Sequence, residues 1–348
     1  MSIFLSRTKH ISALFILLLS LVSVAAVAFQ KGHGEQAETA EKSDLNVSDL
    51  ILHHVVDDHV WHLWDHGGTI YLPIIVYSSE KGLEVFSSRN FYDEHHNTVE
   101  YNGYKLDHNH IYLSESGKAV LDLSITKNVA MLFINATLLV LVFSSVAKAY
   151  KKNNGKAPKG LQSFLEPVIV FVRDEVVKPS IGHHYEKYMP YMLTLFFFIL
   201  FGNLLGLLPG AGNLTGNIAV TLTLAVLTFI ITNVKGNKAY WSHIFWTPGV
   251  PLYLRWVILP VELIGIFTKP FALTIRLFVA ITAGHIVLLS LISLAFIFES
   301  LTVGFVSSLI VLFINLIELL VAAIQAYVFT LFSSLYIGMA TAEHEANH

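Results

Sequence analysis

The sequence predicts an all-α polytopic membrane protein. It has five transmembrane crossings, ends in a long, tilted antiparallel helix hairpin, and carries a small extracytoplasmic N-terminal extension. Three observations carry this prediction. Of 348 residues, 54% are hydrophobic and only 14% are charged, against about 25% charged in soluble domains. Mean hydropathy is +0.60. Apolar runs of membrane-spanning length fill the C-terminal two-thirds, and the last two are far longer than a bilayer requires. The absence of cysteine excludes disulfide scaffolds, Cys-ligated zinc and iron–sulfur clusters. A net charge of -3 argues against nucleic acid as a partner. Neither G-x-x-x-x-G-K-[ST] nor G-x-G-x-x-G occurs, so no nucleotide cofactor is expected.

Residues 1–28 read as a secretory signal. Arg7 and Lys9 give the basic start, ISALFILLLSLVSV the apolar core, and Ala26-Val27-Ala28 an A-x-A cleavage site. An uncleaved anchor is the alternative, but a core of about 14 residues is short for a span. Either way residues 29–125 lie outside the cytoplasm, and a signal ahead of a membrane protein points to a bacterium.

The extension, 29–125, is polar and rich in histidine. Residues 31–48 read as a disordered leader. LILHHVVDDHVWHLWDH predicts a short amphipathic helix. TIYLPIIVYS, LEVFSS and HIYLS predict a small hairpin unit, broken at Glu80-Lys81-Gly82 and at Asp107-His108-Asn109. His53, His54, Asp57, Asp58, His59, His62, Asp65 and His66 are dense enough to raise zinc binding, with Asp58, His62 and His66 at i, i+4 spacing. No ligand set stands out, and a polar amphipathic helix explains the pattern without a metal. His108 and His110 read as hairpin residues.

The membrane domain, 126–348, has apolar runs at 129–147, 190–208 and 218–234, then long stretches at 256–298 and 303–340. Basic residues set the orientation. The loop at 148–189 holds Lys148, Lys151, Lys152, Lys156, Lys159, Arg173, Lys178 and Lys187; the loop at 209–217 holds none; the loop at 235–255 holds Lys235, Lys238 and Arg255. This alternation predicts an extracytoplasmic N-terminus and a cytoplasmic C-terminus.

A continuous helix over 271–298 would be about 42 Å long, and one over 303–340 about 57 Å. The hydrocarbon core is about 30 Å, so both must tilt steeply or leave the bilayer. Glu299-Ser300 is the predicted turn.

This hairpin holds the ionisable residues. A cation at mid-bilayer costs between about 2.5 and 17 kcal/mol, so Arg276 must face water, a counter-charge or another protein, unless it snorkels to an interface. Glu262, Lys269 and Arg276 are seven apart and nearly share a helix face, unless Pro270 bends the line. Glu318 and Gln325 are also seven apart. A turn near residue 300 puts Arg276 level with Gln325, and His285 level with Glu318. Arg276 keeps its charge permanently and can attract a carboxylate. His285 and Glu318 both titrate, and can either pass protons in a hydrated cleft or form a structural buried pair. No acidic residue in the first three spans can pair with Arg276, so its partner is expected on another subunit.

IFTKPFALTIRLFVAITAGHIVLL and LIELLVAAIQAYVFTLFSSLYIGMA closely resemble subunit a of the rotary F-type ATP synthase. FFFILFGNLLGLLPG and NLTGNIAVTLTLAV resemble it more weakly. The resemblance covers about residues 129–342. It implies that Arg276 is the arginine facing a rotating subunit c ring with mid-membrane carboxylates, that Gln325 stands beside it, and that His285 and Glu318 line an aqueous half-channel. Other members carry that pair in reversed order. Glu262 and Lys269 match further polar positions of the same helix, and Asn203 and Asn217 match positions on the middle helices. The implied partners are the c ring, the subunit b peripheral stalk, the rest of the complex and the lipid bilayer, in a bacterial inner membrane. The implied role is non-catalytic: two offset half-channels coupling proton flow to rotation. Where many members have Gly-Asn after RLF, Val279-Ala280 stand here. The rival reading is a stand-alone proton-coupled transporter or ion channel, against which the chain shows no internal repeat.

Overall fold

The computed structural model describes residues 57–62, 68–79, 81–93, 98–107, 110–114, 116–152, 157–208, 211–246, 251–298 and 301–342. The signal at 1–28, the leader, His53, His54, Asp65, His66, His108 and the Glu299-Ser300 turn lie outside these residues.

The described part of the extension is built mainly of short strands. They are β1 (Val60–His62), β2 (Thr69–Tyr71), β3 (Pro73–Ser78), β4 (Gly82–Ser87), β5 (Tyr104–Asp107), β6 (His110–Leu113) and β7 (Leu121–Asp122). They form three small antiparallel sheets, ordered β1-β2, β4-β3-β7 and β5-β6. The expected hairpins are present, β3 with β4 and β5 with β6. The amphipathic helix expected around residue 60 is corrected: Val60–His62 is a strand paired with Thr69–Tyr71. Val-Trp-His carries β-branched and aromatic bulk that packs well on a pleated surface, and the facing Thr-Ile-Tyr run supplies its ladder. Ile74, Val76, Phe91, Tyr104, Leu106, Ile111 and Leu113 form the small core.

Helix α1 (Lys127–Lys152) begins directly after the strands. Asp57 holds its start, accepting hydrogen bonds from the Asn128 amide at 3.0 Å and the Thr126 hydroxyl at 2.8 Å. The region 148–189, expected as a loop, is largely helical: α2 (Leu161–Phe171), a wider π turn at Val172–Val177, and α3 (Lys178–Ile181) lead into α4 (Tyr185–Gly206). Of its basic residues, Lys148, Lys151 and Lys152 lie in α1, Arg173 in the π turn, Lys178 in α3 and Lys187 in α4. Next come α5 (Ile218–Val234) and α6 (Lys238–Phe245). Helices α7 (Leu252–Ile297) and α8 (Leu301–Thr341) are 46 and 41 residues long. Helix α7 therefore starts 19 residues before the expected 271 and runs through Pro260 and Pro270. Proline is tolerated in membrane helices where other groups satisfy the freed backbone.

Among the described residues, four helical stretches are long and apolar enough to cross a membrane: Lys127–Lys152, Leu161–Gly206, Tyr253–Ser293 and Thr302–Thr341. A fifth crossing arises if α5 and α6, bent by 100°, count as one span. The chain divides into two compact units. One comprises 1–134, 205–214 and 284–319, the other 135–204, 215–283 and 320–348. The core of the second unit includes Phe197, Met192, Leu273, Leu277, Ala326 and Ile337. In that unit α8 approaches the α3 backbone so closely that any Cβ on Gly338 would collide with the Ser180 carbonyl.

Candidate functional site

His285 and Glu318 belong to the first unit, on α7 and α8. Glu318 is only 8% exposed although it is a carboxylate. Its carboxyl group lies against the backbone of Gly284, where a Cβ would come within 2.5 Å of Oε1. Glycine lets the acid sit here undisplaced; a Cβ would push its carboxyl group aside. His285, the next residue, is half-buried. The contact falls within one residue of the depth expected for His285 opposite Glu318. Nearer the turn, the Ser307 hydroxyl donates to the Leu291 carbonyl at 2.7 Å and ties the same two helices together.

Arg276, Gln325, Glu262, Lys269, Asn203 and Asn217 belong to the second unit. Arg276 is exposed on the isolated chain, and its guanidinium sits 4.3 Å over the Phe332 ring. Phe332 is seven residues past Gln325, the position expected level with Arg276. The offset follows from helix geometry. Side chains lean towards the N-terminus of their own helix, and in an antiparallel pair that direction leads towards the C-terminus of the neighbour. Lys269 repeats the arrangement, with Nζ 5.4 Å from the Tyr336 ring. Helix α7 is continuous through Pro270 and carries Glu262, Lys269 and Arg276 at seven-residue spacing.

Asn203 is buried between elements. Its amide donates to the Ala322 carbonyl at 3.1 Å, and its oxygen accepts from the Thr215 hydroxyl at 2.6 Å. This ties α4 to α8 one turn from Gln325, which is half-buried. Asn217 caps α5, its oxygen accepting from the Ala219 amide at 2.9 Å.

Sequence reasoning missed a stripe of small polar residues. Thr221, Thr228 and Thr232 are buried on one face of α5 with Ala225. Tyr191 bonds Thr228 at 2.8 Å, and Thr228 lies 3.4 Å from Ser333. The signal was present as Thr221, Ala225, Thr228 and Thr232 at helical spacing. Beside the stripe, a cavity of about 10 Å³, room for about one water, is lined by Thr228, Thr232, Asn233, Tyr240, Lys269 and Tyr336.

Among the described residues, no three His, Asp or Glu side chains gather as metal ligands. Several of the suspected ligands have structural partners. Asp57 holds the start of α1, Asp58 accepts from the His59 amide, and buried His59 pairs through Nε2 with Asp122 at 3.0 Å.

Comparison with known proteins agrees with the membrane architecture. A family model described as ATP synthase A chain matches residues 129–338. A second model, described as a domain of unknown function, matches residues 50–132. "ATP synthase subunit a 2" of Chlorobaculum tepidum is 41% identical over 91% of this chain and 80% of its own length. The protein of the same name from Prosthecochloris aestuarii is 40% identical over 98% of both chains. "ATP synthase subunit a" of Chloroherpeton thalassium is 47% identical over 64% of this chain and 68% of its own length. The likeness to whole relatives runs through the extension as well as the spans, and the chain belongs to the ATP synthase subunit a family, the proton-channel stators of the F-type enzyme.

Proposed function

We propose that Arg276 is the charge this stator presents to a subunit c ring, and that His285 and Glu318 admit protons to that ring from outside the cytoplasm. One observation chiefly supports this reading: a permanent cation is exposed on a membrane helix, and the chain offers it an aromatic face. A ring carboxylate passing Arg276 is held ionised, because a nearby positive charge favours the charged form of an acid. It therefore gives up its proton towards the cytoplasm. Rotation then brings it to the His285–Glu318 side, where it is neutralised by a proton from the outer water path and can return through lipid. Arg276 also repels a proton that would pass directly between the two paths. Gln325 steadies the arginine's surroundings. Glu262 and Lys269 serve the path on their own side, while Asn203 and Asn217 hold the middle helices in place. The subunit b stalk braces the stator in a bacterial inner membrane, with the N-terminus periplasmic and the C-terminus cytoplasmic.

Replacing Arg276 with Ala tests the reading. In inverted vesicles the variant complex should assemble and bind its ring, yet show neither ATP-driven quenching of a pH-sensitive dye nor proton-driven ATP synthesis. Normal pumping by assembled Arg276→Ala complexes would overturn it.

A further inference from the structure

The sheet β4-β3-β7 has one face too many for its core. Ile74, Val76 and Ser78 turn inward and are buried. The alternate residues form the opposite face, where Ile75 pairs with Val85, and Tyr77 pairs with Leu83 on one side and Leu121 on the other. Leu123 continues this face, its amide bonded to the Ile75 carbonyl at 2.8 Å. Tyr77, Leu83, Val85, Leu121 and Leu123 are 48% to 63% exposed. Among the described strand residues, Glu84 and Asp122 both pair with buried Val76 and so fall on the other face. A contiguous apolar patch on a polar domain marks an interaction surface.

Its occupant follows from where the sheet is attached. Only three residues separate Leu123 from Lys127, the first residue of the membrane helix α1. At most about 14 Å of extended chain can lie between them, and each headgroup layer is about 5–8 Å thick. The joint is also not a free linker. The Ile125 amide donates to the Pro73 carbonyl at 3.2 Å, and the Lys127 amide to the Asp58 carbonyl at 2.9 Å. Asp57 grips the first turn of α1 through Thr126 and Asn128. The sheet is thus fixed at the mouth of the span. Two turns into α1, a candidate membrane span, Phe133 and Ile134 are also exposed, so a second apolar surface begins close by in the chain. The content of the sheet face, aliphatic side chains with one tyrosine, suits the headgroup boundary.

We propose that this sheet face rests on the bilayer, in the headgroup layer where α1 enters, and holds the extension against the membrane. The inference needs only that α1 crosses the membrane, and it is independent of the role given to Arg276.

The chain has no cysteine, so a single introduced one can be labelled uniquely on this subunit. Leu83→Cys, Val85→Cys and Leu121→Cys, each carrying an NBD fluorophore, are compared in the assembled complex with Lys105→Cys on β5, reconstituted in phosphatidylcholine–phosphatidylglycerol vesicles. All four positions are exposed, so the complex should assemble. The three face positions should show blue-shifted emission and roughly twofold or greater quenching by headgroup-nitroxide lipid, as expected for groups seated about 5–10 Å into the boundary. Lys105→Cys should show neither. Water-like emission at the face, without lipid quenching, would overturn the proposal. So would a face shielded from soluble iodide yet untouched by the nitroxide lipid, because a protein neighbour would then cover it.

Discussion

Replacing Gly284 with Ala should impair proton movement without dismantling the protein. The new methyl would stand 2.5 Å from Glu318 Oε1 and 3.3 Å from its Cδ and Cγ. Ordinary contact begins at about 3.4 Å, so the carboxylate must retreat by about 0.9 Å. It can do so, because the atoms in the way end a flexible side chain and are not backbone. Folding should therefore be nearly unaffected. Proton transfer is less forgiving: a displacement of about 1 Å at a reacting group can cost up to about 10²-fold in rate. We expect roughly a tenfold loss in passive proton flux, and Gly284→Val should lose more. Gly265 on the same helix has nothing within 4 Å of its Cβ position, so Gly265→Ala should behave as wild type. The assay is the initial rate of dye quenching in inverted vesicles, normalised to assembled complex. Wild-type flux in Gly284→Ala across a pH series would refute the reasoning. Failure of that variant to assemble would refute it equally, because the clash would then be structural.

Three further outcomes are expected. Glu318→Gln should slow proton entry while the complex stays assembled, because the amide fills the same space but cannot titrate; unchanged flux from pH 6 to 9 would count against a proton-carrying Glu318. Gly338→Ala should destabilise the complex by about 1–3 kcal/mol, as overpacking does, since the methyl meets the Ser180 carbonyl; a thermal melt matching wild type would contradict the close approach. Burial of Asp122 acts to raise its carboxyl, but hydrogen bonds from His59 and Ser124 outweigh this and hold it below its ordinary value. Its stabilisation is therefore present above the unfolded value near 3.9 and is lost as pH falls through the lower folded value. Hydrogen exchange in β3 and β7 should loosen only below about pH 4, and Asp122→Asn should flatten that dependence.

The membrane half was legible because its signals are long and redundant. A 46-residue helix survives an error of several residues, and a hairpin register follows from one turn position. Glu318 against Gly284 was reachable from counting alone. The Arg276–Phe332 contact was not, because counting locates Cα atoms while a long side chain reaches further along the neighbour. The extension was harder. Asp58, His62 and His66 share a helical i, i+4 spacing that suits zinc, but a three-residue strand has too few positions to display alternation. What decided the matter was the Thr69–Tyr71 partner, and pairing across a gap is not written in either segment alone. The 148–189 region misled for a different reason: a basic, proline-containing stretch is as compatible with an interfacial helix as with a loop.

The energetics of Arg276 bear most directly on how the stator works. Even the lowest figure for a guanidinium at membrane depth is about 2.5 kcal/mol unfavourable. The Phe332 ring at 4.3 Å returns about 0.5–2 kcal/mol, so the chain by itself leaves the charge at a deficit. A carboxylate about 4 Å away, at an effective dielectric of about 20, contributes about 4 kcal/mol, enough to reverse the sign at the low end of that range. On the proposed reading, the ring carboxylate is the external acid that offsets this deficit. A fixed acid within the chain would also meet the cost, but it would hold Arg276 in a permanent pair and leave nothing to bind a moving partner. An aromatic neighbour such as Phe332 avoids that outcome: under the proposed role it stabilises the cation weakly between encounters and would yield to each arriving carboxylate.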